Sequence, residues 1–350
     1  MPFKSSLARS AGKLLSVFRQ RDVSLRGYVQ PDRYQGPSTV TITLTNSASN
    51  NLGGGNNYIT WTSSGAFVIA GPGLNVPTFK IDYLLVGGGG GAGGFDPAGY
   101  FAAAAGVDST ALGVRAAGGG NGASFTSNVG GPGGSGGGGG AIAGTAGAGN
   151  VYNSISPAHP GPAPGQGNSG GLGSTGAYGG SGGGGAGQAG EGNKPNSQSG
   201  YGGYGKAAFS GDTDFPTSYG TPGPSAGRWF AGGGGGAGGT PAGAEHNAPG
   251  GAGGGGNGVN APPYTTSDAT ANTGGGAGSV CTISGGGAGG GGAGGYLEAT
   301  NQSISAATYP IVIGTGGASA PGSGGTGADG IFVLKIPSAA KSAIDTITYL

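Results

Sequence analysis

The sequence predicts a mostly β and irregular protein with three parts. A short N-terminal amphipathic helix leads into a small β-sheet domain, followed by a glycine-rich bundle of extended, polyproline-II-type helices joined by end loops. Three observations predict it. Glycine supplies 86 of the 244 residues between Gly87 and Gly330, whereas Leu, Ile, Val and Phe together supply 22. So few large apolar side chains cannot fill an ordinary core. The glycine runs recur with the same companions in the same order, and β-patterned segments flank them on both sides.

Composition narrows the alternatives. Gly and Pro make up 117 of 350 residues, a level usual in disordered chains. Such chains generally resist collapse through charge. This one is 8 % charged, has a net charge of +1 and carries 27 aromatic residues. Backbone-ordered packing fits that combination better than a solvated linker does. The single cysteine, Cys281, rules out an intramolecular disulfide framework. No apolar run approaches the length of a membrane span.

Residues 1–37 form the first segment, a basic arm. Its first 35 residues hold seven Lys and Arg against Asp22 and Asp32, so the positive charge is local. Leu7, Ala11, Leu14 and Phe18 follow 4-3-4 spacing, the seam of a short amphipathic or coiled-coil helix. With Arg9, Arg19 and Arg21 beside it, this seam is the candidate docking element, either on a larger assembly or within an oligomer. The alternative is a helix packed on the protein's own β-domain. The seam permits a homotrimer. The Arg- and Ser-rich start also has the composition of a mitochondrial transit peptide. A basic arm without interleaved aromatics is a poor nucleic-acid binder, so no nucleic-acid partner is expected.

Residues 38–86 read as the small β-domain. Val40, Ile42 and Leu44 alternate with threonines, and Tyr58–Thr62 and Ala66–Ala70 are short strands joined at Ser63–Gly65. In Phe79–Val86, alternate residues Phe79, Ile81, Tyr83 and Leu85 share one face.

The glycine-rich domain spans 87–330. GGGGGAGG occurs at 87–94 and 232–239, and GGGGAGG at 289–295. Two of these runs are followed by an aromatic residue (Phe95, Tyr296) and later by a short apolar stretch, Leu112–Val114 or Ile311–Ile313. That order marks a diverged repeat. Polyproline-II-type helices make no internal hydrogen bonds, so every N–H and C=O is free to pair with a neighbouring helix. Crowded interior positions then require glycine, and Ala92, Ala237 and Ala293 are expected at the bundle edge. Inserts between the runs, Leu297–Pro310 among them, are expected as end loops. Residues 331–350 supply a closing strand, Gly330–Ile336 (GIFVLKI), suited to pair with Phe79–Val86, and a C-terminal edge strand or docking tail.

No constellation for catalysis is visible. His159 and His246 lack metal-ligand spacing, and no phosphate-binding glycine loop precedes a helix. Glu245–His246 and the pair Asp212 and Asp214 read as polar loop residues. Cys281 reads as buried. No enzyme activity, metal or cofactor is expected. The richest insert is 201–230, and its aromatics Tyr201, Tyr204, Phe215, Tyr219, Trp229 and Phe230 are the candidate recognition residues. The alternative is that these rings cap the bundle.

IDYLLVGGGGGAGGF (Ile81–Phe95), GGGGAGGYLEATNQSISAATYPIVIGTGG (Gly289–Gly317) and GSGGTGADGIFVLKI (Gly322–Ile336) together resemble the glycine-rich domain of tailed-phage tail fibre proteins. They are similar in type to the adhesins at the tips of T-even tail fibres. The resemblance spans about 60–336. It implies a polyglycine-II bundle in a virion protein whose loops bind a host surface receptor, a glycan or an outer-membrane protein, and whose N-terminus meets other virion proteins. The arm lies outside it. A capsid decoration or cement protein is the alternative within the same class. An ice-binding protein fits less well, because no sustained three-residue repeat is present.

Overall fold

The structure is a computed structural model, and it describes residues 40–51, 55–70, 79–95, 103–124, 127–141, 143–151, 165–174, 178–195, 198–238, 247–260, 267–281, 286–319, 324–338 and 344–349. The expected N-terminal helix, with Leu7, Ala11, Leu14, Phe18, Arg9, Arg19 and Arg21, lies outside those residues, as do His159, Glu245 and His246. Among the described residues the chain is mostly β and contains no α-helix.

Nine strands build two sheets. From the N-terminal part come β1 (Val40–Thr45), β2 (Ala48–Asn51), β3 (Asn57–Trp61), β4 (Gly65–Ala70) and β5 (Phe79–Val86). From the C-terminal part come β6 (Tyr296–Ile304), β7 (Ala307–Ile311), β8 (Ile331–Ile336) and β9 (Ile344–Tyr349). One sheet runs β7-β4-β1-β9, with β1 and β9 parallel, and the other runs β6-β5-β8-β3-β2. The closing pair expected from the sequence forms, with Ile331 opposite Val86 and Lys335 opposite Asp82.

Two expectations are corrected. Strands β3 and β4, expected in one small sheet domain, lie in different sheets. Leu297–Pro310, expected as an end loop, is strand instead and supplies one edge of each sheet. β3 and β4 each keep one nearby partner, β2 and β1, but their other partners, and that of β6, lie more than two hundred residues away in the chain, beyond the reach of local pattern.

Period-two alternation gives the five-stranded sheet two buried faces. Ile59, Trp61, Ile81, Tyr83, Leu85, Phe332, Leu334 and Ile336 face the other sheet, meeting Ile42, Leu44, Phe67, Ile69 and Ile311 there. Trp61 packs against Phe332 at 5.3 Å between ring centroids and donates its indole N–H to the Thr45 carbonyl at 2.9 Å. Tyr58, Leu84, Val86, Ile331 and Val333 face the opposite way into a second core.

The glycine region is joined by backbone hydrogen bonds with a period of three. Gly87, Gly90 and Gly93 donate to Gly295, Gly292 and Gly289; Gly88 and Gly91 donate to Val107 and Ala104; Gly89 and Ala92 donate to Ala328 and Gly325. Every third residue therefore addresses the same neighbour. The run 289–295 has six neighbouring segments: it donates to 117–123, 181–184 and 274–277, and accepts from 87–93, 135–138 and Gly234. A side chain has no room inside such contacts. A Cβ on Gly89 would sit 1.8 Å from the Gly275 carbonyl oxygen, and one on Gly234 would sit 1.7 Å from that of Ala277. Ala92, Ala237 and Ala293, expected at the edge, are fully buried instead, so a methyl group is accommodated at some interior positions of the runs. Ala293 joins the second core. The hairpin Ser109–Ala111/Val114–Ala116 turns through Leu112 and Gly113, at φ 54° and 74°. Thr110 there exchanges two hydrogen bonds with Val312, so the two diverged copies of the repeat pair with each other.

Gly89→Val is expected to lower stability by more than about 4 kcal/mol, at the extreme of single substitutions. A Cβ on Gly165 would meet no atom within 4 Å, so Gly165→Ala should change stability by no more than about 1 kcal/mol. Denaturant unfolding of the two variants beside the wild type checks both; equal midpoints would refute close backbone packing.

Candidate recognition surface

Residues 206–230 leave the glycine region, cross the outer face of the five-stranded sheet and return. The excursion is pinned where Lys206–Ala207 pairs antiparallel with Trp229–Phe230. A short 3-10 turn at Ala208–Ser210 follows, with Phe209 in the left-handed region at φ 48°. Its amide donates to Glu298 Oε2 at 2.7 Å, which ties the turn to β6. Arg228 closes the loop by donating from Nε to the Tyr219 carbonyl at 2.8 Å and from Nη2 to that of Gly220.

The apolar side of this loop completes the second core. Phe215 stacks edge-on to Tyr58 at 5.3 Å and to Phe230 at 5.7 Å, and Phe209 lies 5.9 Å from Phe215. At its edge is a polar cluster. Tyr58 Oη and Lys335 Nζ each donate to Asp212 Oδ2 at 2.6 Å, and Asp82 Oδ2 stands 3.9 Å from the same Nζ. Burial disfavours the Asp212 charge, but hydrogen bonds from Lys335, Tyr58 and the Asp214 backbone outweigh it and hold the carboxyl below its ordinary 3.8. Burial, then the hydrogen bond and charge of Asp212, push the Tyr58 phenol up. Tyr296 is raised well above 10.0, by burial first and then by neighbouring Glu298. Asp212, Tyr58 and Lys335 are bonded to one another and hold the loop against the sheet.

The six candidate aromatics separate by environment. Phe215 and Phe230 are buried, at 2 % and 0 % exposure, and Tyr219 is half-buried against the second core. Tyr201 and Tyr204 are each 47 % exposed, and Trp229 is half-buried. The structure thus brings Tyr204 and Trp229 together, in the wall of an open groove of about 660 Å³ that also includes Lys206, Gln188, Tyr296 and Glu298. Of these, the sequence pointed only to Tyr204 and Trp229. Lys206 follows Gly205 directly and Glu298 stands three residues after Gly295, and that nearness to glycine was the available signal. Cys281 is buried, as expected, with Sγ 2.7 Å from the Gly286 carbonyl oxygen. Among the described residues there is no cluster of metal-ligating side chains, and no helix is long and apolar enough to cross a membrane.

Comparison with protein families, with curated proteins and with solved structures found no match to this chain.

The polar cluster makes an acid-dependent contribution to stability. A lowered folded-state pKa means the contribution is complete above the ordinary carboxylate value of 3.8 and is lost as pH falls through the lower folded value. Asp212→Asn should therefore cost about 1–3 kcal/mol at neutral pH. Its deficit relative to wild type should shrink on acidification below 3.8. Urea unfolding at stepped pH measures this; a deficit independent of pH would remove Asp212 as the group responsible.

Proposed function

We propose that this chain is a non-enzymatic virion protein, a tail fibre or adhesin, with residues 87–330 forming a polyglycine-II bundle that presents recognition residues to a host surface receptor. The basic arm at 1–37 attaches it to other virion proteins. The observation that carries the reading is the three-residue period of backbone hydrogen bonds, with six neighbouring segments around the run 289–295. A threefold extended helix directs successive N–H groups to three different neighbours, and hexagonal packing supplies six. Such a scaffold is stiff, and its specificity is confined to side chains on its perimeter and in its connections. It lends itself to display rather than to catalysis, which usually needs converging functional groups in a cleft. The strand–run–aromatic order shared with phage fibre proteins supports the same reading.

Two experiments test it. Purified protein added before infection should compete with the phage that carries it for adsorption; unimpaired adsorption at saturating protein would favour a decoration or cement role instead. Deleting residues 2–20 should leave a folded protein that no longer enters particles. Particles that retain it at wild-type copy number would remove the docking role of Leu7, Ala11, Leu14, Phe18, Arg9, Arg19 and Arg21.

A further inference from the structure

Tyr201 and Tyr204 are separated by Gly202 and Gly203, which are buried, while both tyrosines are exposed. With three residues per turn they fall on one outer face of the run, about 9 Å apart along it. The next residues in that direction enter the groove walled by Tyr204 and Trp229, so an aromatic track follows the run and ends in a polar pocket. Gly223 backs directly onto the Trp229 indole, where a Cβ would come within 2.3 Å of the ring, and Nε1 is held by the Ser225 carbonyl at 3.2 Å. The ring is therefore fixed in place before any ligand arrives.

The polar groups beside it have capacity to spare. Lys206 forms no ion pair among the described residues, its Nζ lying 5.7 Å from the Tyr296 ring centroid. Glu298 uses Oε2 for the Phe209 amide and the Tyr296 hydroxyl, and no described residue engages Oε1. The Gln188 side chain is exposed. One cation and one anion cancel, so the groove does not select a phosphate-bearing or polyanionic chain. It offers donors and acceptors beside the Tyr204 and Trp229 rings, while Lys194 Nζ covers one face of Tyr201, 4.3 Å from its centroid, and leaves the other for a ligand.

We propose that this track binds a linear, uncharged saccharide chain lying along the run, with one sugar in the groove between Tyr204 and Trp229 and the next units extending past Tyr201. A sugar ring has an apolar C–H face, suited to an aromatic plane, and a rim of hydroxyls that both donate and accept. Lys206 and Gln188 donate to hydroxyl oxygens, and Glu298 Oε1 accepts from a hydroxyl. The inference rests on the adhesin reading for the source of the saccharide, the host envelope. A protein ligand would need a contact of roughly 800 Å² on this side, far larger than the groove.

The test uses the full-length protein with cellohexaose, chitohexaose, maltohexaose and the delipidated polysaccharide of the host envelope. Saturation-transfer NMR and the fluorescence of Trp229, read against the buried Trp61, report binding. At least one probe is expected to bind saturably, with Tyr204→Ala weakening it about tenfold and Trp229→Phe retaining more affinity than Trp229→Ala. Tyr204 is exposed, so its removal leaves the fold intact even if the Trp229 variants disturb the loop. No saturable binding by any probe, or binding unchanged in Tyr204→Ala, overturns the proposal. Adsorption separates the two readings. If Tyr204→Ala still blocks adsorption fully, the adhesin stands and the saccharide track falls. If wild type binds a probe but does not block adsorption, the track stands and the adhesin reading falls.

Discussion

Backbone hydrogen bonding between glycine runs is the constraint from which the rest of this molecule follows. Ordering a residue costs about 1–2 kcal/mol of backbone entropy, and more for glycine. A hydrogen bond returns only about 0.5–1.5 kcal/mol net. No residue in such a region can leave its donor unused. The three-residue period meets that requirement, because successive amides in the run 87–93 each find a carbonyl on one of three neighbours. The same proximity that makes the bonds excludes side chains, as the 1.8 Å clearance at Gly89 illustrates. Glycine is therefore demanded by the hydrogen-bond pattern and does not merely permit it.

Runs packed in this way need something to fix their register, since glycine alone distinguishes no position from the next. The five-stranded sheet supplies it. Its adjacent strands β6, β5 and β8 connect directly to the runs ending at Gly295, beginning at Gly87 and ending at Gly330. The ladder Tyr296–Val86–Ile331 is continued by the bond from the Gly87 amide to the Gly295 carbonyl. Period-two alternation pins the strands, since a slip of one residue would exchange Leu85 and Leu84 between the two cores. The strands thereby hand a defined register to runs that cannot specify their own.

Much of this was readable from the residues, and the failures have physical causes. The alternation in Phe79–Val86 and Ile331–Ile336, and their placement around the glycine runs, pointed to the pair that forms. One charge of opposite sign in each, Asp82 and Lys335, stands at the same register position, a cross-strand signal available only once the pairing is assumed. β1 and β4 pair with each other, but their second partners, β9 and β7, come from the far end of the chain, and no local pattern carries that information. The aromatics of 201–230 posed a different difficulty. Composition does not reveal which side of a ring meets water, so Phe215 and Phe230, which seal the second core, read the same as Tyr204, which faces out.

That division of labour constrains where variation is tolerated. The excursion 206–230 is the lid of the second core, held by Arg228, Asp212 and the amide of Phe209. Replacing its buried rings forfeits the burial of large side chains, which costs several kcal/mol each. Exposed positions next to the lid bear no such load. Beside it, Tyr204 and Gln188 are exposed and held through their backbone hydrogen bonds. Change there alters the surface chemistry while the runs beneath, satisfied by one another, are unaffected. A scaffold stabilised through main-chain contacts thus separates the residues that hold the fold from those that face solvent more completely than a side-chain core does.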